Sequence, residues 1–82
     1  MDHKDITIFL ELVRCRNISK TAENLYLSQS AVSSRLKALE AEMGCQLVLR
    51  FKGQRSVELT RQGEEFISVA ERWKLLLEET EA

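Results

Sequence analysis

The sequence predicts a mainly α fold with three helices, a β-hairpin and a long last helix. Apolar residues recur every three or four positions in several segments, as they do in amphipathic helices. Two short apolar runs flank a polar, glycine-containing tip, which is typical of a hairpin. The 82 residues include no proline and only three glycines, so few positions interrupt a helix. A chain of this length forms one domain at most.

The first helix is predicted over roughly residues 3–15, where apolar residues form two stripes. A helix that is apolar on two sides packs against two neighbours. Ile8 and Leu12 are therefore predicted to contact a helix of the partner chain in a dimer. One stripe consists of Ile6, Phe9, Leu10 and Val13, and the other of Ile8, Leu12 and Cys15.

A short second helix is predicted to begin after Asn17 or Ser19, either of which can act as its N-cap, and to end near Leu25. Tyr26 and Leu27 then make a tight connection, and Ser28 is the predicted N-cap of a third helix. The third helix, residues 28–43, ends before Gly44, because glycine readily adopts the left-handed conformation that terminates helices.

The third helix has two opposed faces. An apolar face anchors it, whereas the opposite face carries small hydroxyls and one cation without a negative charge. Such a face suits a crowded, anionic surface such as the major groove of DNA. The apolar face comprises Val32, Leu36, Leu39 and Met43, and the polar face comprises Ser30, Ser33, Ser34 and Lys37.

The hairpin is predicted from the apolar runs 47–51 and 56–59, which flank the polar tip 52–55. Thr60 is the predicted N-cap of the last helix, and the chain ends within its pattern, so we expect the natural protein to continue. A helix of about 20 residues is longer than so small a domain is wide, which favours dimerisation over closure of a monomer core. The inner face of this helix is predicted to contain Phe66, Val69, Ala70, Trp73, Leu76 and Leu77.

Charge is distributed unevenly, although the formal net charge is only −1. Residues 28–62 hold six basic and three acidic side chains, whereas residues 63–82 hold two basic and six acidic ones. The basic middle segment supports nucleic-acid binding weakly, because the whole chain lacks the high isoelectric point typical of such domains.

The ordered motifs resemble the N-terminal DNA-binding domain of LysR-type transcriptional regulators. The third helix carries Ser28-Gln29-Ser30-Ala31-Val32-Ser33-x-x-Leu36-x-x-Leu39-Glu40. The flanking motifs are Phe9-x-x-x-Val13, Ala22-Glu23-x-Leu25, Gly44-x-x-Leu47-x-x-Arg50 and Val57-x-Leu59-Thr60-x-x-Gly63. Arg16-Asn17 replaces the usual Gly-Ser of the family, so Asn17 is expected to supply both the turn conformation and the cap.

The resemblance implies a winged helix-turn-helix over residues 1–60 and a linker or dimerisation helix over residues 61–82. It implies a bacterial or archaeal regulator that binds interrupted palindromes of double-stranded DNA as a homodimer. No cofactor is expected in this domain, whereas a small-molecule effector is expected for a C-terminal domain absent from the chain. The expected location is the cytoplasm.

The predicted DNA-binding residues lie on the third helix and on the wing. Gln29 is expected to add a selective amide contact, and Arg35 lies to one side of the polar face, where it suits a phosphate. A solvated helix face and a charged edge strand that blocks aggregation are the alternatives at these positions. The set is Ser28, Gln29, Ser30, Ser33, Ser34, Arg35, Lys37, Arg50, Lys52, Gln54 and Arg55. The predicted dimer contacts are Ile8, Leu12, Phe66, Val69, Trp73, Leu76 and Leu77.

Other functions find little support in the sequence. The single histidine and the two isolated cysteines offer neither a nucleophile–base pair nor zinc-ligand spacing, so no catalytic residue and no metal site is predicted. Cys15 and Cys45 are predicted to be plain buried residues. No apolar run approaches a membrane span. The remaining alternative is a winged helix that binds protein and not DNA.

Overall fold

The computed structural model describes residues 1–81, and side chains up to residue 79. The predicted order of elements is confirmed over this range. Ala82, the last residue of the predicted linker helix, lies outside the described residues. The elements are α1 (His3–Cys15), α2 (Ile18–Leu25), α3 (Gln29–Met43), β1 (Val48–Arg50), β2 (Val57–Leu59) and α4 (Arg61–Glu81).

The core forms where α1 packs against α2, α3 and α4. Ile8 and Leu12 are only 1% and 0% exposed, and the rings of Phe9 and Phe66 meet edge-to-face with centroids 5.1 Å apart. Ile8, Leu12 and Phe66 therefore stabilise the monomer, and their predicted contact with a partner chain is wrong. Each stripe of α1 has residues buried by helices of its own chain, Ile6 and Phe9 in one and Ile8 and Leu12 in the other, which is why the two-sided pattern did not indicate an interface.

Side chains cap the helices as local sequence rules predict. Asp2 and Asp5 form a capping box at α1, and the Asn17 side chain accepts a hydrogen bond from the Lys20 N–H at 2.9 Å. Asn17 rather than Ser19 therefore caps α2. The turn conformation was assigned to the wrong residue, because Arg16 adopts the left-handed backbone with φ 55° while Asn17 is extended with φ −150°.

The wing is a two-stranded antiparallel hairpin in which Val48 pairs with Leu59 and Arg50 with Val57. Each strand is shorter than predicted. The tip end of β2 is also tied to the α1–α2 connection, since the Ile18 N–H donates to the Arg55 carbonyl at 3.0 Å and the Val57 N–H donates to the Arg16 carbonyl at 3.0 Å. These long-range bonds, which local patterns do not predict, fix the orientation of the hairpin.

The junction between α3, β1 and α4 depends on one carboxylate and one glycine. Glu40 Oε2 accepts hydrogen bonds from the Leu47 N–H at 2.7 Å and the Val48 N–H at 3.2 Å. Gly63, at the start of α4, lies so close to β1 that an added Cβ would be 2.0 Å from the Leu47 carbonyl oxygen. The path of the chain into the wing is therefore determined by close backbone contacts.

Three further expectations need correction. Met43 is 39% exposed, so the apolar face of α3 that reaches the core ends at Leu39. Cys15 and Cys45 are free thiols and only partly buried. The Cys15 thiol donates to Glu11 Oε2 at 3.3 Å, so it belongs to a polar cluster at the edge of the core.

A helix able to cross a membrane is not found anywhere in residues 1–81. Among the described side chains, no group of three or more His, Cys, Asp or Glu residues is placed to hold a metal ion.

Candidate nucleic-acid interface

The polar face of α3 lies on the surface, opposite the side that packs on the core. Ser30, Ser34 and Lys37 are exposed and Ser33 is half-buried, whereas Val32, Leu36 and Leu39 are buried. The first turn of α3 contains no acidic residue. The helix therefore presents hydroxyls and one ammonium group on a rigid, well-anchored scaffold.

The N-terminus of α3 combines a side-chain cap with exposed polar groups. The Ser28 hydroxyl accepts a hydrogen bond from the Ala31 N–H at 3.1 Å and lies 3.2 Å from the Ser30 hydroxyl. Gln29 is exposed beside them. Because helix N-termini carry partial positive charge and uncompensated N–H groups, this end of α3 suits a phosphate.

Arg35 lies on the side of α3 that faces α1. Its Nη1 donates to Asp2 Oδ2 at 3.2 Å and to Asp5 Oδ1 at 3.4 Å. The Asp5 hydrogen bond and the Arg35 guanidinium hold the pKa of Asp2 below its usual range. The guanidinium is thus engaged in joining α1 to α3, which the spacing of residues along α3 alone did not reveal.

The predicted wing residues are all exposed. The tip is a turn closed by the Gln54 N–H, which donates to the Phe51 carbonyl at 3.0 Å, and Gly53 supplies its positive φ of 79°. Lys52 and Gln54 lie in this turn, while Arg55 follows it at the point where the wing joins α2. Arg50 lies on β1, next to the tip. The arrangement brings three cations to one end of the hairpin.

The predicted dimer contacts on α4 separate into two groups. Phe66 belongs to the core, whereas Val69, Trp73 and Leu76, further along the helix, are exposed. Leu77 is half-buried. The outer part of α4 thus carries apolar side chains that the rest of the described chain covers only in part.

One surface residue near α3 was not singled out by the sequence pattern. Tyr26, at the C-terminal end of α2, is 95% exposed and has a positive φ of 58°. The one signal for it in the sequence is an aromatic residue placed in a tight connection between two helices.

A short capped helix, a tight turn, an anchored third helix and a hairpin fixed to the α1–α2 connection define a winged helix-turn-helix protein. The chain belongs to the LysR family of bacterial regulatory helix-turn-helix proteins, whose family model matches residues 3–64. That match covers α1, the helix-turn-helix, the wing and the beginning of α4.

Individual relatives agree with this assignment. The HTH-type transcriptional regulator HdfR of Yersinia pestis (strain Pestoides F) is 39% identical over an aligned length of 83 that covers 96% of this chain. The chain spans 28% of the length of that relative.

Solved structures of the same fold include DNA complexes. The DNA-binding domain of CbnR in complex with DNA matches with a TM-score of 0.90 and 29% identity over 98% of this chain and 90% of that one. The DNA-binding domain of BenM in complex with catB site 1 DNA matches with a TM-score of 0.85 and 28% identity over 98% of this chain and 84% of that one.

Proposed function

We propose that this chain binds double-stranded DNA in a sequence-specific manner, as the DNA-binding domain of a transcriptional regulator. The observation that carries the proposal is the polar face of α3 at the surface. It consists of Ser30, Ser33, Ser34 and Lys37 and carries no carboxylate. In a helix-turn-helix the second helix enters the major groove with its N-terminal residues toward the bases. Residues 28–34 of α3 would then lie deepest, with Lys37 further along the groove.

The wing supports the same mode of binding. Lys52 and Arg55 are exposed at the tip end of the hairpin, where the Arg55 carbonyl accepts a hydrogen bond from the first residue of α2. Cations held in this way suit the phosphates or the minor groove beside the site occupied by α3. The DNA complexes of CbnR and BenM, which share the fold over nearly the whole chain, add independent support.

The proposal includes a homodimer in the bacterial cytoplasm that binds an interrupted palindrome. The homodimer is supported by the partly uncovered apolar side of α4, where Val69 and Trp73 are 42% and 38% exposed. The domain itself uses no cofactor and catalyses no reaction. Sensing of a small-molecule effector belongs to a C-terminal domain beyond residue 82, in keeping with relatives of which this chain spans 28%.

A binding experiment with two matched lysine variants tests the function. The chain is used to select duplexes from a random pool, and the affinity for the selected duplex is then measured over a range of salt concentrations. We expect affinity to fall steeply with salt, with a slope of log K against log[salt] of about −0.9 for each phosphate neutralised. Lys37→Ala should make the slope shallower by about 0.9, whereas Lys74→Ala, which removes an exposed lysine from α4, should leave it unchanged.

The assignment of base contacts is tested separately. Ser33→Ala and Ser34→Ala should change which duplexes are selected, because base contacts specify sequence while phosphate contacts do not. Unchanged affinity and unchanged selection in both variants would show that another face of the molecule meets the bases. If the wild-type chain bound no duplex in a salt-dependent way, the alternative of a protein-binding winged helix would replace the proposal.

A further inference from the structure

Tyr26 is the most exposed of the large apolar side chains within the described residues, at 95%. Its two neighbours in the chain, Leu25 and Leu27, are both partly buried against the core. The Tyr26 ring therefore lies outside the packing of the molecule and buries almost no surface when the chain folds. Its presence is not explained by the hydrophobic effect, which depends on removing apolar area from water.

The backbone at Tyr26 gives no reason for a tyrosine either. The residue has φ 58° and ψ 41°, in the left-handed region that is unfavourable for residues with a Cβ and readily adopted by glycine. This conformation lets the Tyr26 N–H donate to the Glu23 carbonyl at 3.3 Å and so end α2. Glycine would make the same hydrogen bond at a lower conformational cost, so the tyrosine side chain is unfavourable for folding at this position.

The position of Tyr26 relative to α3 indicates what the side chain contacts. It lies two residues before Ser28, the N-cap of the helix whose N-terminal end would enter the major groove. The residues that lead into such a helix lie at the edge of the groove, where a phosphate backbone passes. A tyrosine suits that environment, because its hydroxyl donates a hydrogen bond while its ring rests on the sugar.

We propose that Tyr26 contacts a phosphate of the bound duplex through its hydroxyl and thereby positions the N-terminal end of α3 in the groove. The inference rests on the proposed function and adds to it a residue that sets affinity without reading sequence. The hydroxyl donates to a non-bridging phosphate oxygen. Because the tyrosine side chain is neutral, the contact neutralises no phosphate and releases no counterion.

Two variants separate the contact from any role in folding. Tyr26→Phe keeps the ring and removes only the hydroxyl, and it should weaken duplex binding by about 5- to 10-fold. Tyr26→Gly should weaken binding at least as much, yet it should raise the midpoint of thermal unfolding by about 3 °C, because glycine relieves the left-handed backbone. Arg16→Gly, at the second non-glycine position with positive φ among the described residues, relieves the same strain but also loses the hydrogen bond from Arg16 Nε to the Val13 carbonyl, so its midpoint should rise less.

The salt dependence distinguishes Tyr26 from a cationic contact. Both Tyr26 variants should keep the wild-type slope of log K against log[salt] and select the same duplexes, whereas Lys37→Ala should change the slope. Wild-type affinity in Tyr26→Phe, or a lowered unfolding midpoint in Tyr26→Gly, would overturn the role of Tyr26 and leave the proposed function intact. Absence of duplex binding by the wild-type chain would instead overturn the proposed function itself.

Discussion

Gly63 and Gly44 illustrate two different physical reasons for glycine in this chain. Gly44 ends α3 with φ 74° and has open space around it. Gly63 belongs to α4, where the backbone itself suits any residue, but it lies against the Leu47 carbonyl of β1. The first position requires a conformation and the second requires the absence of a side chain.

Alanine at the two glycines should therefore have unequal effects. Gly44→Ala is expected to lower the free energy of unfolding by about 1 kcal/mol, the cost of a left-handed alanine. Gly63→Ala is expected to lower it by about 3 kcal/mol, because β1 or α4 must shift to admit the methyl group. Urea unfolding of both variants provides the comparison, and an equal or smaller loss for Gly63→Ala would contradict the close approach to Leu47.

At the level of elements, α1 is joined to α2 by a polar cluster around Glu11. The Glu11 carboxylate accepts hydrogen bonds from Arg14, from Asn24 Nδ2 at 2.8 Å and from the Cys15 thiol at 3.3 Å. The Arg14 and Asn24 hydrogen bonds lower the pKa of Glu11 from its ordinary value of 4.5 to about 2. Folding therefore favours the ionised carboxylate.

The stability of this helix pair should depend on pH in a defined direction. Because the pKa of Glu11 is lower in the folded chain, its contribution is complete above pH 4.5 and disappears as the pH falls to about 2. Glu11→Gln should reduce the free energy of unfolding by about 1–2 kcal/mol at pH 7. That difference from wild type should shrink steadily between pH 4.5 and pH 2.

A second glutamine variant provides the reference for Glu11. Glu23→Gln changes an exposed carboxylate of α2 and should leave the free energy of unfolding at pH 7 nearly unchanged. The two variants are compared by chemical denaturation at a series of pH values. A constant difference between Glu11→Gln and wild type down to pH 2 would be inconsistent with the lowered pKa.

For the whole molecule, the proposed homodimer can use either of two apolar sides of α4. Trp73 and Val69 are exposed on one side. On another side, Leu75 and Ile67 line an apolar groove together with Leu10 and Val13 of α1. The burial of Phe66 excludes this residue of the second turn of α4 from the interface, so two apolar surfaces compete.

Paired variants decide between these surfaces. Trp73→Ala is expected to raise the dimer dissociation constant by about 10- to 30-fold, since tryptophan is the residue type most often dominant in interfaces. Leu75→Ala, on the same helix, is expected to have little effect. Sedimentation equilibrium measures both, and the reverse pattern would assign the dimer to the groove beside α1. Unfolding of Trp73→Ala without a change in association would place Trp73 in the monomer fold.

Local patterns in the sequence were sufficient for the helices and their caps. The i, i+4, i+7 spacing of Val32, Leu36 and Leu39 predicted the buried face of α3, and Ser28 and Thr60 cap their helices as expected. The same reasoning failed for Ile8 and Leu12, because apolar periodicity shows that a side chain is buried but not which chain covers it. It did not reveal the ion pairs of Arg35, because Asp2 and Asp5 lie at the start of α1, far from Arg35 in the sequence.

By itself, the sequence determined the order of elements, the polar face of α3 and the cations of the wing, since each depends on residues close together in the chain. Tertiary structure alone decided that both stripes of α1 belong to the monomer core and that Glu40 organises the entry to β1. It also decided that Tyr26 projects from the molecule at the start of α3. These features depend on contacts between distant segments, whose geometry is set only when the helices pack together.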